Sequence, residues 1–108
     1  MVVSELLTGC HTVPKSIYQW DDYQPEIYKY FKGVSAEEQI DVFEKNLEEI
    51  KAHGNLAPPG LHAHLGMLYS SIGKSDLGTQ EFMTEKKLFP ESASYMDFLT
   101  NNTIKKEQ

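Results

Sequence analysis

The sequence predicts an all-α fold of about five helices stacked as antiparallel hairpins. Three observations predict it: apolar residues recur at spacings of three and four, glycine or proline closes every such stretch but the last, and β-branched residues are too scattered for an alternating strand. A chain of 108 residues holds one ordinary domain, and 40% apolar with 24% charged residues is the composition of a folded soluble chain. Short turns between helices make sequence neighbours pack antiparallel.

The first helix is expected from about Asp22 to Lys32. Asp21 and Asp22 cap it, Pro25 is tolerated in its first turn, and Gly33 suits its end. Half of the chain's aromatic residues crowd around it: Tyr18, Trp20, Tyr23, Tyr28, Tyr30 and Phe31. The second helix spans 35–53. Ser35 precedes Glu38 by three residues, the capping-box spacing, and Ile40, Phe43, Leu47 and Ile50 form one apolar stripe. Gly54 ends it, and 55–59 is a proline-bearing loop. A third helix starts near Gly60 or Leu61, buries Leu61, Leu65, Leu68 and Ile72, and stops at Gly73. Ser75 caps a fourth helix that runs to about Leu88. After Pro90, a final helix over about 91–100 offers Ala93, Met96 and Leu99 to the core. The chain thus divides into a tether over 1–16, a helical domain over 17–102 and a frayed tail over 103–108.

Residues 59–92 fit one tetratricopeptide repeat. Leu65-Gly66, Tyr69, Gly73, Phe82 and Pro90 fall at the pattern's offsets, and Gly78 replaces its usual alanine. Gly66 and Gly78 lack bulk, so two helices can approach closely, while Tyr69 and Phe82 fill the volume between neighbours. The upstream hairpin, 22–32 with 35–53, lacks the Leu-Gly pair and reads as a divergent repeat. The last helix then serves as a cap for a tetratricopeptide-like stack.

Charge and cysteine usage exclude several functions. Acidic residues outnumber basic ones 16 to 10, and every basic residue is lysine, so a nucleic-acid surface is not expected. No apolar run reaches the roughly 18 residues of a membrane span. A single cysteine excludes an internal disulfide framework and any multi-cysteine metal site. That cysteine lies in Leu7-Thr8-Gly9-Cys10, which resembles the lipobox of bacterial lipoproteins, where small residues fit a peptidase cleft and the thiol takes the acyl group. Against this, no basic residue precedes Cys10 and Glu5 interrupts the apolar run, unlike a secretory signal. The alternative is an ordinary thiol near a frayed terminus.

The chain from about residue 10 to 100 also resembles one family. Pro14-Lys15-Ser16-Ile17-Tyr18-Gln19-Trp20, Tyr23 and Ile27-Tyr28-Lys29-Tyr30-Phe31 look like its aromatic opening. Glu38-Gln39-Ile40, Pro58-Pro59-Gly60-Leu61-His62-Ala63-His64-Leu65-Gly66 and Lys87-Leu88-Phe89-Pro90-Glu91-Ser92 look like its later landmarks. The family is the small bacterial lipoproteins of the DUF4810 type, whose function is not established. The resemblance implies an acylated Cys10. Since His11, and not aspartate, follows it, the lipobox resemblance points to the periplasmic face of the outer membrane. The family resemblance also implies a setting among other envelope lipoproteins, including ones similar to the curli-export channel protein.

No reaction is expected. His62 and His64, two apart on a helix, point about 200° from each other and cannot share one ion. His11 and His53 lie far off, so neither a metal nor another cofactor is anticipated. Cys10 sits before the first helix with no histidine fixed against it. Serines 70, 71, 75, 92 and 94 fall at helix ends or faces, and Glu37-Glu38 and Glu48-Glu49 lie on a wet face. The chain is therefore expected to be a non-enzymatic adaptor in the envelope. Its candidate contacts are the aromatic residues Tyr18, Trp20, Tyr23 and Tyr30, and the groove positions Ala63, His64, Met67, Ser70 and Ser71 carried over from the repeat. The alternative is a soluble cytoplasmic module of the same fold that binds a protein chain, with Cys10 incidental.

Overall fold

The computed structural model describes residues 18–19 and 32–107. Among them the fold is all-α: α1 (Ala36–Ala52), α2 (Leu61–Ser71), α3 (Ser75–Leu88), a 3-10 turn (Pro90–Ser92) and α4 (Ala93–Glu107). Tyr18 adds one isolated parallel bridge to Leu56. The tether over 1–16 and, apart from Lys32, the helix expected over about 22–32 lie outside the described residues, among which four α-helices stand.

α1 begins where its sequence says it should. The Ser35 hydroxyl accepts the Glu38 N–H at 3.3 Å, satisfying one of the free amides of the first turn. Ile40, Phe43 and Ile50 are buried, with Leu47 packed beside them. Gln39 and Asn46 are buried too, so this face carries two amides alongside its apolar stripe. Gln39 Nε2 donates to the Val34 carbonyl at 3.0 Å.

α2 starts after Gly60, whose φ of 95° is open to glycine and strained for other residues. Leu61, Leu65, Leu68 and Tyr69 join the α1 residues in one apolar core. The turn into α3 differs in detail from expectation. Ser75 is the first helical residue and Lys74 the cap, with no side-chain bond. The backbone makes the turn unaided: the Lys74 N–H donates to the Tyr69 carbonyl at 2.9 Å, and the Lys74 carbonyl accepts the Gly78 N–H at 3.0 Å.

α2 and α3 run antiparallel and nearly touch at Gly66 and Gly78. A β-carbon on Gly66 would lie 2.9 Å from the Gly78 carbonyl oxygen, and one on Gly78 would lie 2.9 Å from that of Gly66. Phe82 then covers Gly66 and is itself buried.

α4 departs most from the sequence reading. It begins with the 3-10 turn at Pro90 and continues through Glu107, so 103–107 is helix where a frayed tail was expected. The reason is packing. Met96 and Thr103 lie two turns apart on one face, both buried, and the Thr103 hydroxyl donates to Ser70 Oγ at 3.2 Å.

Candidate interaction surface

The predicted contact residues do not assemble into one groove. His64 turns inward, where its ring meets the edge of Phe43 with centroids 5.4 Å apart and planes at 81°. Ser70 turns towards α3 and α4. Its hydroxyl donates to the Gly66 carbonyl at 2.8 Å and accepts from Thr103. Ser71 is exposed and its hydroxyl donates to the Leu68 carbonyl at 2.7 Å. Met67 and Ala63, one turn apart, remain half-buried. A helix face that looks continuous in sequence is thus shared among three packing partners, which is why His64 and Ser70 are structural here.

His62 and His64 do point apart, as their spacing requires. His62 Nδ1 donates to the Glu81 carboxylate on α3 at 2.7 Å, whereas His64 faces α1. Tyr69 reaches α1 by donating its hydroxyl to Glu44 at 2.6 Å. Burial first, and then that bond and the charges of Glu44, Glu81 and Asp41, hold its phenol well above the ordinary value.

Burial also lowers the His64 imidazole below 6.5. The unfolded chain takes up a proton there more readily than the folded one. This contribution to stability is therefore complete above about pH 6.5 and is lost as pH falls towards the lowered folded value. Melting temperature is expected to drop between about pH 7 and pH 5 more steeply in the native protein than in His64→Leu, as thermal unfolding at a series of pH values would show. Parallel curves for the two proteins would contradict it.

The residue that sequence reasoning passed over is Glu85. It is 3% exposed, and its carboxylate reaches from α3 to the start of α2, accepting the Gly60 N–H at 3.0 Å and the Ala63 N–H at 3.2 Å. It serves α2 as an N-terminal cap supplied by another helix, where a negative charge is also favoured by the helix dipole. Nothing in the local sequence marks it, because its partners are backbone amides some 22–25 residues away.

Tyr18 is the one predicted aromatic contact among the described residues. Trp20, Tyr23 and Tyr30 lie outside them, as does Cys10. Tyr18 is half-buried, its ring 6.0 Å from that of Phe89 at a tilt of 56°. The next residue secures it: the Gln19 N–H donates to the Leu56 carbonyl at 3.0 Å, and Asn55 Nδ2 donates to Gln19 Oε1 at 2.8 Å.

The exposed apolar side chains are the other feature missed. Tyr95 and Phe98 are each 56% exposed, their rings stacked at 6.3 Å and 15°. Leu56 at 48% and Leu88 at 44% lie at the same end of the stack, where α1 and α3 finish and α2 and α4 begin. Tyr95 and Phe98 were legible as an i, i+3 pair flanking the Ala93, Met96 and Leu99 stripe. That Leu56 and Leu88 share their end of the molecule was not.

Among its described residues the protein is all-α, and no helix there is long and apolar enough to cross a membrane. The chain belongs to the family of the domain of unknown function DUF4810, whose model matches residues 17–99. No curated protein and no solved structure matches it.

Proposed function

We propose that this chain is a non-enzymatic adaptor: a tetratricopeptide-like stack of helical hairpins, tethered by an acyl group on Cys10 to the periplasmic face of the outer membrane, that docks on other envelope proteins. The observation that carries the binding role is the division of side chains described above. Inside, Glu85, Ser70, Tyr69 and His62 are bonded to the protein itself. Outside, Leu56, Leu88, Tyr95 and Phe98 stand in water at one end of the stack, with Leu77, Met83 and Ile104 exposed elsewhere, and the grouped four make the kind of surface that marks a contact site. The close crossing at Gly66 and Gly78, with Phe82 over it and Pro90 restarting the chain, supports the repeat reading. Membership of the DUF4810 family, together with Leu7-Thr8-Gly9-Cys10, supports the tether.

The test is expression from the native gene start in a Gram-negative bacterium, followed by membrane fractionation and intact-mass measurement. The native protein is expected in the outer-membrane fraction, heavier by an acyl modification. Cys10→Ala is expected in the soluble fraction without it. An unmodified, soluble native product would replace this reading with the cytoplasmic module in which Cys10 is incidental.

A further inference from the structure

We draw no further inference here: the strongest candidate, the side-chain cluster in which Asp41 and Glu44 of α1 and Glu81 of α3 lie around Tyr69 of α2 with Leu77 exposed one turn from Glu81, is a group of carboxylates, and nothing in the structure shows what covers it.

Discussion

Phe82→Ala is expected to lower stability by about 3–5 kcal/mol, the range for deleting a buried phenylalanine. Phe82 is 1% exposed and sits over the point where α2 and α3 come closest. Removing its ring empties the volume between these helices, and Gly66 and Gly78 have no side chains that could rotate in to refill it. In a domain of this size each kcal/mol shifts the melting temperature by roughly 4–8 °C, so denaturant or thermal unfolding will register the change readily. The same crossing makes a second substitution informative. Gly66→Ala would raise helix propensity by about 1 kcal/mol at an open site. Here the new methyl would lie 2.5 Å from Phe82 Cε1 and 2.9 Å from the Gly78 carbonyl oxygen, and overpacking reverses the sign. Combined with Phe82→Ala, the Gly66→Ala penalty should shrink, because the ring contact is gone, yet persist in part through the carbonyl. Full additivity of the two changes would contradict this account of the crossing.

Glu85→Ala is expected to cost roughly 2–4 kcal/mol, since it leaves the Gly60 and Ala63 N–H groups without their acceptor at a part-buried helix start. The damage should be local as well as global. Hydrogen exchange at 60–64 is expected to accelerate beyond what the fall in overall stability explains. Glu85→Gln retains one acceptor oxygen but loses the charge and places an NH2 group against a donor, so its cost should fall between those of the native protein and Glu85→Ala. If Glu85→Ala unfolded at the native temperature with unchanged exchange at 60–64, the capping role would be refuted.

The legible parts of this protein were those whose cause lies within a helical turn or two. Ser35 before Glu38, the Ile40, Phe43 and Ile50 stripe, and the Leu61, Leu65 and Leu68 stripe all appear where their spacing puts them. Gly66, Gly78 and Phe82 were visible as the parts of a close crossing, because small and large residues at fixed offsets have few other uses. Membership of the DUF4810 family was carried by motifs strung along most of the chain. The candidate site was less accessible. Met67 and Ala63 kept half-buried positions on α2, but His64 and Ser70, taken as groove residues, were claimed by α1 and by α3 with α4.

By itself, then, the sequence determined the all-α class and most helix boundaries, because backbone hydrogen bonding and amphipathic spacing are local. Tertiary structure alone decided that Glu85 caps a helix other than its own and that Thr103 extends α4 against Ser70. It alone decided that Tyr18 joins the chain to the end where Leu56 and Leu88 stand exposed. Each of these depends on which surfaces of two distant segments meet. That choice is made by packing over the whole molecule, and no window of neighbouring residues contains it.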